Sequence, residues 1–197
     1  MPKQRNVAIF IFDDVEVLDF AGPFEVFNVA GEVIEPVPFN TYTVAMSAGP
    51  VKARGQLSIN PHFTVDNCPP PDILLVPGGI GTRPLLKNSA VLTWLKAQSQ
   101  QVELLLSVCT GALVLGQAGL LVELPATTHH TTFDLLREIS PTTSVREDQR
   151  FIDTGQIITS GGISAGIDMA LYVIRKFLSE EQVALVIKEM EYQWHQK

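Results

Sequence analysis

Residues 102–120 read VELLLSVCTGALVLGQAGL. The first seven are almost continuously apolar, the pattern of a strand covered on both faces. From Thr110 onward, small residues and leucines take helical spacing, with Gly119 near the end. A strand running directly into a helix, with Cys109 at the junction, is half of a strand–helix–strand unit, and similar halves recur along the chain. DILLVPGG (72–79) is a second buried strand entering a glycine turn, and Ser89 to Gln98 predicts the helix after it. NVAIFIF (6–12) predicts the first strand. Pro23 suits the opening turn of the next helix, PFEVFNVA supplies its apolar spacing and Gly31 its left-handed cap, which leaves Asp19 in the strand-to-helix junction. TYTVAMS (41–47) predicts another strand, and QLSIN with HFTVD a short hairpin. Beyond ATTHH, TTFDLLREI predicts a helix capped by Thr131 or Thr132, and FIDTGQIITSGG two strands around a turn at Thr154–Gly155. ISAGIDMALYVIRKF predicts a long amphipathic helix, and Ser179 with Gln182 a capping box opening the last one. Strands alternating with helices define an α/β sandwich with a mainly parallel sheet and helices on both faces. With no repeat, low-complexity tract or linker, one domain over residues 1–197 is expected.

Composition narrows the function. A hydrophobic content of 46% supports a substantial core, and a formal net charge of −7 argues against a phosphate-binding face, so no nucleic-acid partner is expected. The apolar run after the basic N-terminal residues is too short to span a bilayer, which implies a cytoplasmic protein with no membrane partner. Cys68, in NCPPPD, and Cys109 make neither a disulfide framework nor a metal knuckle, and the spacing of His, Cys, Asp and Glu offers no metal site.

In open α/β sheets ligands bind beyond the carboxyl ends of the strands, which is where Cys109 falls. SVCTG has the outline of a nucleophile elbow, with Ser107 in place of its first glycine. A helix start beneath Cys109 is expected to favour thiolate, by analogy with thiols lowered from about 8.5 to roughly 3.5–7.5. The pattern alone equally admits a buried strand-end cysteine, since free cysteine is among the most buried residue types. Gly78 and Gly79 end the neighbouring strand and offer backbone N–H groups for an oxyanion hole, or else a tight turn. Asp19, between Leu18 and Phe20, is expected to be desolvated and to hold a proton, whereas Asp13, Asp14 and Glu16 read as a solvated loop or as charges complementing a helix start. His129 and His130 can approach the thiol or simply flank a helix, and His62 and His195 read as surface residues.

DILLVPGG, SVCTGALVLGQAGLL, ATTHH and ITSGGISAGIDMAL together resemble the ThiJ/PfpI superfamily, flavodoxin-like relatives of the class I glutamine amidotransferases, over nearly the whole chain. LDFAGPFEVF with SVCTGA and TSGGISAGIDMAL resembles its isonitrile hydratase branch, shared with the ligand domains of some AraC-type regulators. The resemblance implies a flavodoxin-like sandwich, a homodimer and a cofactor-free lyase acting on a small molecule. It implies Cys109 as nucleophile, Asp19 as the acid beside it and Thr110 as the residue that helps to hold substrate or water, with the N–H groups of Gly79 and Thr110 binding negative charge. Protease-like members carry His directly after the cysteine, where this chain has Thr110, and glutaminases carry a late His-x-Glu pair that this chain lacks. The helix-turn-helix of an AraC-type regulator is not expected among these residues, and neither is direct DNA binding. Glyoxalase- or amidase-like chemistry on small carbonyl compounds, or redox sensing or ligand binding through the same cysteine, are the alternatives.

Overall fold

A computed structural model describes residues 3–195. In chain order the elements are β1 (Arg5–Phe10), α1 (Val17–Val33), β2 (Phe39–Ala45), β3 (Val51–Lys52), β4 (Ser58–Ile59), β5 (Phe63–Thr64), β6 (Ile73–Val76), α2 (Thr82–Leu85), α3 (Ser89–Ser99), β7 (Leu104–Val108) and α4 (Gly111–Gln117). They continue with β8 (Pro125–Ala126), α5 (Phe133–Ile139), β9 (Ser144–Val145), β10 (Phe151–Asp153), β11 (Ile157–Ser160), α6 (Ala165–Arg175) and α7 (Glu180–Glu189).

Seven strands form the central sheet in the order β10-β11-β7-β6-β1-β2-β5, parallel throughout except for β10 against β11. The core order β2-β1-β6-β7-β11 is the flavodoxin-like doubly wound order, whose ligand crevice opens where the winding reverses, between β1 and β6. β6, β7 and β11 are buried at every position, which requires cover on both faces. Two helix groups supply it: α1 packs with α6 and α7, and α4 packs with α2, α3 and α5. The register pairs Val76 with Ser107 and Val108 with Ser160, so β6, β7 and β11 end side by side. No helix among the described residues is long and apolar enough to cross a membrane.

Several local expectations are corrected. α1 begins at Val17, so Asp19 lies in its first turn and not in a junction, and Pro23 lies inside it. Pro23 has no N–H to donate to the Asp19 carbonyl four residues back, so the helix tolerates a missing bond at that point. The helix runs past Gly31 to Val33 and ends on extended Ile34. QLSIN and HFTVD do not pair with each other: Ser58–Ile59 pairs with Val51–Lys52, and Phe63–Thr64 adds to the sheet edge beside β2. Neither Thr131 nor Thr132 caps α5 through its side chain; the Thr132 hydroxyl instead donates to the carbonyl of His129 at 2.9 Å. The Ser179–Gln182 capping box forms as expected.

Candidate active site

Cys109 follows β7 with φ of +57°, a left-handed conformation that costs a non-glycine residue roughly 1–2 kcal/mol. Neighbouring strand ends hold it there. Its N–H is shared between the carbonyls of Ser160 and Gly161, each at 3.1 Å, and its own carbonyl accepts the Thr128 hydroxyl at 2.8 Å. The turn after β6 abuts it. Gly79 has φ of +118°, and a Cβ there would lie 2.4 Å from the carbonyl oxygen of Asp14. A Cβ on Gly78 would lie 2.6 Å from the Thr110 nitrogen and 2.8 Å from Asp19 Oδ2, so the ends of β6 and β7 meet the first turn of α1 at a spacing only glycine permits.

Both glycine N–H groups are engaged within the protein, so neither is free here as an oxyanion donor. Gly78 N–H donates to Asp19 Oδ2 at 3.0 Å, and Gly79 N–H donates to Thr110 Oγ1 at 3.0 Å. Gly78 therefore positions the carboxyl and Gly79 the threonine hydroxyl, which returns its own proton to the Gly79 carbonyl at 3.1 Å. The Thr82 hydroxyl donates to that same carbonyl at 2.8 Å and lies 3.2 Å from Thr110 Oγ1.

Asp19 is fully buried, and its Oδ1 finds no conventional hydrogen-bond partner among the described residues. Burial pushes its carboxyl up to about 7, against the opposing influence of the Cys109 thiol and the Gly78 N–H. Cys109 is 5% exposed. Burial, reinforced by the Asp19 charge, pushes its thiol up to about 12, and the backbone N–H and hydroxyl of Thr110 only partly offset this. The expected lowering by a helix start is overridden, since α4 is only seven residues long and the sulfur is shielded from water. Loss of the Asp19 proton near pH 7 thus leaves Cys109 as the thiol, because the charge on the neighbouring carboxylate holds the sulfur's proton in place.

The sulfur faces a cavity of about 380 Å³ lined by Glu16, Arg54, Gly79, Ile80, Arg83, Cys109, Thr110, His129, Thr131 and Ile163. His129 is thus at the cavity, while His130, His62 and His195 are exposed and absent from its lining. His129 Nδ1 accepts from the Thr131 N–H at 3.3 Å, so the neutral ring carries its proton on Nε2. Burial, assisted by His130, lowers its pKa and favours that neutral donor form. Glu16 stands at the N-cap of α1, the helix-start alternative expected for it, and its Oε2 accepts from Arg54 Nη1 at 2.7 Å. Sequence reasoning missed Arg54, Arg83, Ile80, Thr82, Thr128 and Ile163. The glycines of VPGGIGTRP and ITSGGIS mark two of the loops concerned, whereas nothing local marks Arg54. Among the described residues no group of three or more His, Cys, Asp or Glu side chains is placed to hold a metal ion.

Residues 5–176 match the DJ-1/PfpI family, and the chain belongs to it. It is 34% identical over 187 residues to an isonitrile hydratase of Pseudomonas putida, covering 95% of this chain and 78% of the relative. It is 28% identical to the HTH-type transcriptional regulator GbdR of Pseudomonas aeruginosa, over 96% of this chain but 52% of the regulator. Among solved structures, a ThiJ/PfpI family protein from Pseudomonas syringae superposes with a TM-score of 0.87 at 26% identity, covering 98% of this chain and 77% of that one.

Proposed function

We propose that this DJ-1/PfpI family member hydrates isonitriles to N-substituted formamides, with Cys109 as nucleophile and Asp19 as the proton carrier. The observation that carries the reading is the buried Asp19 carboxyl, raised to about 7, beside a left-handed Cys109 at the wall of one cavity. The likeness to the Pseudomonas putida isonitrile hydratase supports it.

In the singly protonated pair, transfer of the thiol proton to Asp19 yields a thiolate without a net change of charge in the buried site. The sulfur attacks the terminal isonitrile carbon, forming a C–S bond, and Asp19 delivers its proton to that carbon to give a thioimidate. Asp19, now a carboxylate, takes a proton from water as the hydroxyl adds to the same carbon, and passes that proton to the nitrogen. Collapse breaks the C–S bond, releases the formamide and returns the proton to the pair. One isonitrile and one water are consumed, and no electrons change hands. The Gly78 N–H holds Asp19 in place through both states, and the Thr110 N–H opposes the sulfur's rise in pKa, so it favours the thiolate.

The test is formamide production from a panel of alkyl isonitriles. Wild type is expected to turn over with kcat/KM rising through about pH 7 as the pair loses its first proton. Cys109→Ala is expected to be inactive and Asp19→Asn to lose roughly 10²–10⁴, the range for a general acid–base group. No formamide from any member of the panel overturns the reading. A domain that binds a small molecule without turning it over is the second reading, favoured by the likeness to GbdR; saturable protection of Cys109 from alkylation by an isonitrile that is never consumed would select it.

A further inference from the structure

The cavity holds more positive charge than the proposed reaction uses. A thiol and a carboxyl suffice to hydrate an isonitrile, yet two arginines line the wall. Arg54 is balanced by Glu16 at 2.7 Å. Arg83 is not: among the described residues it forms no ion pair. It is half-buried, and its Nη1 donates to Thr82 Oγ1 at 2.9 Å. Thr82 is fully buried and its hydroxyl lies 3.2 Å from Thr110 Oγ1, so a single hydroxyl links the guanidinium to the residue that follows Cys109. A guanidinium has five N–H donors in a planar fork suited to a carboxylate, and Thr82 occupies one. The other titratable groups of the lining are the Glu16–Arg54 pair and His129, whose neutral form is favoured in part by Arg83 itself. Ile80 and Ile163 complete an apolar wall beside them.

We infer that Arg83 forms an anion-binding subsite, and that the molecules entering this cavity carry a carboxylate separated by a short apolar span from the group presented to Cys109. That Arg83 binds a carboxylate stands on the cavity alone; that the far group is an isonitrile rests on the proposed hydration. The guanidinium would take the carboxylate, Ile80 and Ile163 would cover the span, and Thr82 would keep the fork from swinging toward Glu16.

Binding and turnover test the two parts separately. Calorimetry with 3-methylbutanoate and its uncharged amide is expected to show the acid binding wild type about 10- to 100-fold more tightly, the worth of a charge-assisted hydrogen-bond pair. Arg83→Gln should remove that preference and Arg83→Lys should restore part of it, with circular dichroism confirming both folds. The bound acid should slow alkylation of Cys109. Equal affinity for acid and amide, undiminished acid binding by Arg83→Gln, or acid binding that leaves Cys109 alkylation unchanged would each overturn the subsite. In turnover, 3-isocyanopropanoate should exceed its methyl ester in kcat/KM, and Arg83→Gln should collapse the ratio. Hydration of the ester with no acid preference overturns the subsite and spares the hydratase reading. Acid binding with neither isonitrile consumed does the reverse.

Discussion

Replacing Asp19 by Asn changes the pH dependence of stability, with a sign opposite to that of most native carboxylates. Burial holds the Asp19 carboxyl at about 7 in the folded protein, against about 3.8 for an ordinary aspartate. Between those values the folded state binds one more proton than the unfolded state, so this residue's contribution is intact at low pH and is lost as pH rises toward and past 7. That difference corresponds to about 4 kcal/mol, most of it falling between pH 5 and pH 8. Asn retains an oxygen for the Gly78 N–H and cannot ionise. Urea unfolding of both proteins from pH 5 to pH 8 isolates the effect as a difference, because the ion-paired carboxylates Asp72, Glu103 and Asp153, all lowered, are common to both. Relative to Asp19→Asn, wild type should lose about 2–3 kcal/mol across that window. A constant difference, or one that grows in favour of wild type, would refute the raised carboxyl and with it the proton inventory of the site.

Thr110→Ala strips the Gly79 N–H of its acceptor and is expected to lower both stability, by about 1–3 kcal/mol, and turnover, whereas Thr110→Ser should restore both; melting curves and kcat/KM for the three proteins decide it. Cysteine labelling with iodoacetamide should separate by pH as well as by site: the Cys109 rate should rise through about pH 7 with the first proton of the pair, while Cys68, whose thiol is raised by its own burial, should label appreciably only in alkaline solution. Peptide mass spectrometry on folded protein reads both rates, and parallel profiles would count against the pairing of Cys109 with Asp19.

The sheet was legible because strands buried on both faces leave continuous apolar runs, and ILLV, LLLSV and IITS are buried throughout. The candidate site's thiol, acid and glycines were legible because each sits at or near the end of such a run. What eluded the sequence has long-range causes. Pro23 reads as a helix start by local rule, yet α1 begins six residues earlier. Gly78 and Gly79 advertise free N–H groups until Asp19 and Thr110, distant in the chain, claim them. The sign of the Cys109 shift followed from burial, which a local reading of helix starts does not measure. Arg54 enters the cavity only because the segment around β3 folds over the loop before α1, where the Arg54 N–H donates to the Val15 carbonyl at 2.9 Å.

The bonds that set the site join residues far apart in the chain: Gly78 to Asp19 across 59 positions, Gly79 to Thr110 across 31, and Cys109 to the end of β11. Each closes a large loop whose entropy must be overcome before the contact rewards it, so no fragment shorter than the span from α1 to β11 can contain the site. During refolding, recovery of the Asp19–Cys109 titration therefore reports completion of the four central strands, β1, β6, β7 and β11, and trails the far-ultraviolet signal of helices that form locally.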